Sequence, residues 1–306
     1  MLKWFKCPDQ QLIPVKDCLT KCRMDTRCLT LPTLTSISQE REWTGTASTT
    51  QLLNGTMYSF LKLTQPYVID PDDMAFALLG TKHHQQLGDI AKILNLPAEI
   101  PLTDEDRDIF DLLEPDNGGW TLTDYKTWGS YRVAKVLGIV DTGKKPDPSG
   151  EVYKRSGAWG KAGSPKMVTV FQQMLQEADN FDTELQLNRY RIMLEERGLQ
   201  INTMQIQITV RDGGLAVARS RGIEKNMYMV PVERLDDDKV IGYFKHKADA
   251  LKVALEKNEW NQPCDDRECW DGRRCEDWCE VWMYCSKGML HHPGGVDNKE
   301  TRGPAY

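Results

Sequence analysis

Hydrophobic positions change period several times along the chain, and each change marks an element. From Thr49 to Leu63, "TTQLLNGTMYSFLKL" carries apolar residues at helical spacing. "DPDDMAFALLGTKHHQQLGDIAKILN" predicts a second helix, with Asp70 as its cap and Pro71 in its first turn. "LPAEIPLTDED" breaks that helix. "DIFDLLE" and "WTLTDYKT" surround "PDNGG" and predict a β-hairpin with a five-residue loop. "YRVAKVLGIV" reads as helical, and "VTVFQQMLQEADNFDTELQLNRYRIMLEERG" as one long amphipathic helix, kinked near Asn180 and stopped at Gly198. "QINTMQIQITVRDGGLAVARS" predicts two strands around Asp212-Gly213-Gly214, and "HKADALKVALEKN" a last helix. This order predicts an α/β fold, a mixed central sheet flanked by helices.

The remaining segments are polar. "TSISQEREWTGTAS" reads as a linker, and residues 291–306 as a disordered tail. Residues 142–167, rich in glycine, proline and base, read as an exposed loop or flexible insert. At 306 residues the chain can bury one large core, or one core with small satellites. Its net charge of −6 gives no overall attraction to nucleic acid, so an anionic partner needs a local basic patch or a metal. The insert supplies such a patch. Lys144, Lys145, Lys154, Arg155, Lys161 and Lys166 stand there with Tyr153 and Trp159, against Asp147 and Glu151. Base interleaved with aromatics suits single-stranded DNA, and the plainer alternative is a solvated loop. No apolar run is long enough to span a bilayer, and "MLKWFKCPDQQLIP" lacks the layout of a secretory signal. A cytoplasmic location with reduced thiols is the expectation, which makes the sequon at Asn54 a chance match.

The nine cysteines lie at the two ends. Cys7, Cys18, Cys22 and Cys28 are separated by ten, three and five residues, and Cys264, Cys275, Cys279 and Cys285 repeat those gaps if Cys269 is set aside. Four thiolates suit zinc or an iron–sulfur cluster. The repeat favours two separable sites, zinc at the N-terminal one and zinc or iron–sulfur at the other.

Charged residues interrupt the hairpin. Asp124 and Lys126 share one face of their strand, and Asp111 on the partner strand reaches it if the register cooperates. Two carboxylates and an ammonium there form a hard-oxygen metal site, or else an ordinary surface ion pair. Gln186 and Tyr190 are four apart on one helix face, and His83 and His84 lie on an earlier helix.

In this order the residues resemble the RecB-like nucleases of the PD-(D/E)XK superfamily, over roughly residues 75 to 195. Gly80 to His84 matches the Gly-x-x-x-His helix, Asp111 the first acid, "DYKT" from Asp124 to Lys126 the Asp/Glu-x-Lys strand, and Gln186 to Tyr190 the Gln-x-x-x-Tyr helix. The resemblance implies a PD-(D/E)XK core over residues 36–258, between Cys-rich metal-binding segments at 1–35 and 259–290. It implies that His84, Asp111 and Asp124 hold a catalytic Mg2+ or Mn2+, that Lys126 is catalytic, and that Gln186 and Tyr190 face DNA near the site. The activity expected is hydrolysis of DNA phosphodiesters, foremost by an exonuclease acting on ends or single strands in recombination, repair or phage- or CRISPR-type DNA processing. An endonuclease and a non-catalytic, metal-stabilised nucleic-acid-binding protein are the alternatives; a radical enzyme lacks its usual cysteine spacing. Iron–sulfur nucleases of this family join the chain ends through one [4Fe–4S] cluster, which Cys28 with Cys275, Cys279 and Cys285 would imitate. The chain departs from them in having four N-terminal cysteines, three residues between Cys275 and Cys279, and no glycine before Asp111.

Overall fold

Around the hairpin, alternation of side chains builds a sheet that both faces bury. The computed structural model describes residues 1–103, 107–158 and 160–292. The chain opens with strands β1 (Leu2–Lys6) and β2 (Leu12–Pro14) and helices α1 (Val15–Thr20), α2 (Leu31–Ile37), α3 (Thr49–Leu53) and α4 (Thr56–Thr64). Strand β3 (Tyr67–Ile69) returns to pair parallel with β1. Helix α5 (Ala75–Ile93) leads to β4 (Ala98–Pro101), β5 (Ile109–Asp116) and β6 (Gly119–Trp128). Next come α6 (Ser130–Leu137), a ribbon of β7 (Ile139–Pro146) and β8 (Met167–Gln173), and α7 (Phe181–Glu195). The core closes with β9 (Ile201–Val210), α8 (Ala216–Arg219), β10 (Met227–Val232) and α9 (Asp237–Lys257); α10 (Ser286–Leu290) lies beyond.

The main sheet has the order β10-β9-β6-β5-β4. Only β6 and β9 run parallel in it, so the sheet is mixed and the fold is α/β, as expected. A parallel pair needs a long crossover, and α6, the ribbon and α7 supply it. β6 is central and covered on both sides. Leu187, Tyr190 and Leu194 of α7 pack with Leu113, Leu122, Ile206 and Ile208 on one face. Leu87 and Ala91 of α5 pack with Ala98, Leu112 and Tyr125 on the other. A further cluster, including Phe5, Leu34, Phe60, Leu251 and Val281, gathers both ends of the chain around α4 and α9.

Several sequence expectations are corrected here. The hairpin loop has two residues, Asn117 and Gly118, both left-handed with φ of 45° and 83°. Asn-Gly accepts that geometry, so the strands run on through Pro115, Asp116 and Gly119. α6 stops at Gly138, which caps it at φ 64°, and Ile139 begins a strand. "MVTVFQQ" is strand β8 rather than helix, because its β-branched residues pair with β7; the helix starts after Asn180. Residues 142–146 and Met167 belong to strands β7 and β8, whereas residues 147–158 and 160–166 form the largely exposed loop expected, held by bridges at Val152–Pro165 and Gly157–Gly160. "LAVARS" makes α8, and the strand expected there comes later, as β10. The helix expected over 49–63 is broken at Asn54-Gly55, and "TSI" belongs to α2 rather than a linker. Trp159 and most of the tail (293–306) lie outside the described residues. Among the described residues no helix is long and apolar enough to cross a membrane.

Arg191 ties α7 to α9. Its side chain is sealed from solvent and donates to Asp237 at 2.5 Å, Glu195 at 2.8 Å and Asn188 Oδ1 at 3.3 Å. Asn188 Oδ1 also accepts from the Leu235 N–H at 2.9 Å, so the arginine organises a buried polar knot. Arg191→Ala should cost about 3–5 kcal/mol in urea unfolding, because it opens a cavity and removes the buried guanidinium's hydrogen bonds to Asn188, Glu195 and Asp237. Arg191→Lys should recover only part, since an ammonium lacks the planar fork. An unchanged urea midpoint for Arg191→Ala would show that α9 is held by apolar packing alone.

Candidate functional site

Leu112 pairs with Thr123, and extending that register sets Asp111 opposite Asp124 on neighbouring strands. Both carboxylates are buried, at 8% and 3% exposure. Asp111 Oδ2 accepts the Tyr125 N–H at 2.6 Å, which fixes its side chain against the partner strand. Asp124 Oδ2 lies 2.5 Å from Lys126 Nζ. Gln186 bridges that pair from α7. Its Oε1 accepts from Lys126 Nζ at 3.2 Å, and its Nε2 donates to Asp124 Oδ1 at 3.3 Å. The Tyr190 hydroxyl, one turn on, is 3.4 Å from the same Nε2. Asp124, Lys126, Gln186 and Tyr190 thus meet on the α7 side of the sheet.

His84 reaches in from α5, across the other face. Its Nδ1 is 3.3 Å from Asp111 Oδ2. Burial works against the protonated ring, but the hydrogen bond and charge of Asp111 outweigh it and raise the His84 pKa. His83 differs. Burial and the neighbouring His84 lower its pKa, and its Nε2 stands 3.4 Å from Thr209 Oγ1. The structure therefore separates the two histidines: His84 is the one at the carboxylates.

Sequence reasoning missed Glu99. It lies on β4 in the left-handed region, φ 53°, a strained conformation for a glutamate. Its Oε1 is 3.9 Å from His84 Nδ1. His84, Glu99 and Asp111 each offer a ligand atom within 4.8 Å of the others. Gly88 of α5 makes the room, since a Cβ there would stand 2.6 Å from Glu99 Cγ. The signal available was a lone acid between apolar residues in "PAEIP", the same signal that singled out Asp111. Its prolines and short length made it read as a helix breaker.

The site carries a surplus of buried negative charge. Glu99 Oε1 and Asp124 Oδ2 are both buried and lack a hydrogen bond of good alignment, although Lys126 offsets Asp124 as an ion pair. Burial pushes the Asp124 carboxyl up to about 6 against the lowering pull of Lys126, and Asp111 adds to the rise. Burial and then Asp111 raise Glu99 likewise. Oxygen donors with one imidazole and unmet carboxylate oxygens suit a hard divalent cation.

The cysteines form two gatherings. Cys264, Cys269, Cys275, Cys279 and Cys285 line one void of about 20 Å3 with Met57, Leu61, Val281, Arg274 and Lys287. Cys269 is 1% exposed and is not set apart from the other four. Cys264 faces the start of α4, where Gly55 leaves space for its sulfur. Burial pushes the Cys264 thiol up to about 12 and Cys279 up to about 11, so their thiolates need a strong positive charge nearby. Cys28 does not line this void. It sits with Cys7, Cys18 and Cys22, close enough that ionising one opposes ionising the others. Among the described residues neither set brings three sulfurs within 4.8 Å of one another. On the ribbon, Lys144 and Lys145 are exposed on consecutive positions of β7, hence on opposite faces, and Lys166 pairs with Glu151 at 2.5 Å.

No protein-family model matches this chain, and no curated protein does. A solved structure described as "Crystal structure of SSO0001" is similar at a TM-score of 0.39 and 13% identity, covering 89% of this chain and 93% of its own.

The raised carboxyl of Asp124 has a thermodynamic consequence. Its folded pKa lies above the unfolded one, so the ionised form destabilises the fold above pH 6, and the penalty fades as pH falls through 6 toward 4. Without divalent metal, Asp124→Asn should therefore raise the urea midpoint at pH 8, with the gain shrinking by pH 5. A lower midpoint at pH 8 would mean that the ion pair with Lys126 outweighs the desolvation.

Proposed function

We propose that this protein is a metal-dependent deoxyribonuclease with a PD-(D/E)XK-type core, acting on DNA ends or single strands. One observation carries the reading. His84, Glu99 and Asp111 converge from an α-helix and two strands, with the buried Glu99 Oε1 lacking a hydrogen bond, and Asp124 stands opposite Asp111, paired with a lysine held by Gln186. A surface ion pair, the plainer alternative, does not account for charges this deeply buried.

His84, Glu99, Asp111 and Asp124 fit Mg2+ or Mn2+ by their donor chemistry. The cation, when bound, supplies Lewis acidity toward a phosphoryl oxygen. The chain's own residues do the rest. The Tyr125 N–H and His84 hold Asp111 in one orientation. Gln186 holds Lys126 against Asp124, and Tyr190 steadies Gln186. Lys126 then presents an ammonium where negative charge grows on the phosphate, and orients the attacking group. The exposed bases of the ribbon neutralise phosphates of a bound strand in an otherwise acidic protein.

End-labelled single- and double-stranded DNA, incubated with the purified protein and Mg2+ or Mn2+, tests this directly. Lys126→Ala and Asp124→Ala should each abolish cleavage while leaving circular dichroism unchanged. His84→Ala should weaken cleavage more than His83→Ala. Full turnover by the Lys126 or Asp124 variants would refute the assignment.

Replacing Lys144, Lys145, Lys154 and Arg155 with Gln should weaken DNA binding and flatten its salt dependence. Each lost phosphate contact removes about one unit of log–log slope. An unchanged slope would make the ribbon a bystander.

A further inference from the structure

Two of the first four cysteines lie in a part of the chain that little else holds in place. Residues 21–30 contain neither helix nor strand, and none of their side chains is fully buried. Apart from Leu29, half-buried against the core around α4 and α9, such a segment has little apolar burial to offset its lost conformational entropy. Two of its positions, Cys22 and Cys28, are thiols. The other two thiols are on firmer ground: Cys7 follows the first strand and Cys18 lies in α1, both buried.

The local geometry brings the four pieces together. Cys7 closes a tight turn, its N–H donating to the Gln11 carbonyl and its carbonyl accepting from the Gln10 N–H, both at 2.8 Å. Gln10 is left-handed at φ 67°, and Asp25 in the second loop at φ 58°. Asp9 in the Cys7 turn is ion-paired with Arg23, beside Cys22. Arg27 donates to the Cys18 carbonyl at 2.5 Å and the Leu19 carbonyl at 3.1 Å, tying the Cys28 loop to the end of α1. Cys22 Sγ lies 3.5 Å from the Thr26 carbonyl. Two charged bridges thus connect the turn, the helix and the loop that carry the sulfurs.

We infer that Cys7, Cys18, Cys22 and Cys28 form a closed structural zinc site, complete without any cysteine from the other end of the chain. Four sulfur donors match zinc in a tetrahedral, water-free shell. Four thiolates around a divalent ion leave an excess of two negative charges, and Arg23 and Arg27 stand beside the thiols to offset it. Closing the shell requires residues 21–30 to draw inward, and within that segment Leu29, half-buried, is the residue packed on the core. The metal's binding free energy then appears as folding free energy of a segment that lacks other support. The C-terminal cysteines line their own void, with none of the first four among its walls. This site is independent of the nuclease reading and stands or falls separately.

The full-length protein, purified without chelator, supplies the test. Zinc and iron are measured, and cysteines are alkylated with iodoacetamide and mapped by mass spectrometry. Cys28 is exposed, so a free thiol there reacts fast. The expected result is about one zinc for this site, with Cys7, Cys18, Cys22 and Cys28 all protected until a strong chelator removes it. Cys28→Ser and Cys22→Ser should each lose that zinc and expose the other three, while the C-terminal cysteines keep their own reactivity. Mapping on the unmutated protein retains the test if a variant fails to fold. Rapid alkylation of Cys28 in untreated protein would overturn the proposal. So would loss of iron instead of zinc, or simultaneous exposure of both ends in Cys22→Ser.

Discussion

Two carboxylates, Asp111 and Asp124, face each other inside a sheet that covers them on both sides. Like charges held there in low dielectric repel, and each has also lost its water. Much of the surrounding structure answers that strain. The Tyr125 N–H and His84 take one acid, Lys126 and Gln186 the other. Glu99 then adds a third carboxylate rather than relieving the first two, in a backbone conformation that itself costs roughly 1–3 kcal/mol. A chain under selection for stability alone would not gather these groups. Their gathering is what the cation proposed above would offset.

The two apolar cores divide the work. The sheet with α5 and α7 fixes the site residues from both faces, so that His84 and Gln186 approach the same pair of strands from opposite sides. The second core, around α4 and α9, holds the chain ends, and the C-terminal thiols open directly against it. Burial supplies the rigidity at the first core. Over residues 21–30, which carry Cys22 and Cys28, burial is scarce, and the zinc site proposed above would supply the rigidity there.

Features that depend on local period were legible in the sequence. Alternation along "WTLTDYKT" gave the shared face of Asp124 and Lys126, and a four-residue step gave Gln186 and Tyr190 on one side of α7. What failed depended on tertiary partners. β8 reads as helix because "FQQMLQ" continues a 3.6-residue pattern, and only pairing with β7 makes it a strand. Glu99 sits in a four-residue strand flanked by prolines, and its role appears only when Gly88 of a neighbouring helix makes room for it. Cys269 looked surplus by spacing, yet its place is set by the void that all five thiols share. Spacing orders ligands along a chain; it does not count those that a fold brings together.

Thermal unfolding at increasing Mn2+ concentration, at pH 7.5, tests the central claim most directly. A cation that binds the folded site must raise the melting temperature in step with the logarithm of its concentration above the dissociation constant. The account predicts that rise for the native protein and its loss in Asp111→Asn. No rise with Mn2+ or Mg2+, or an equal rise in both proteins, would contradict it.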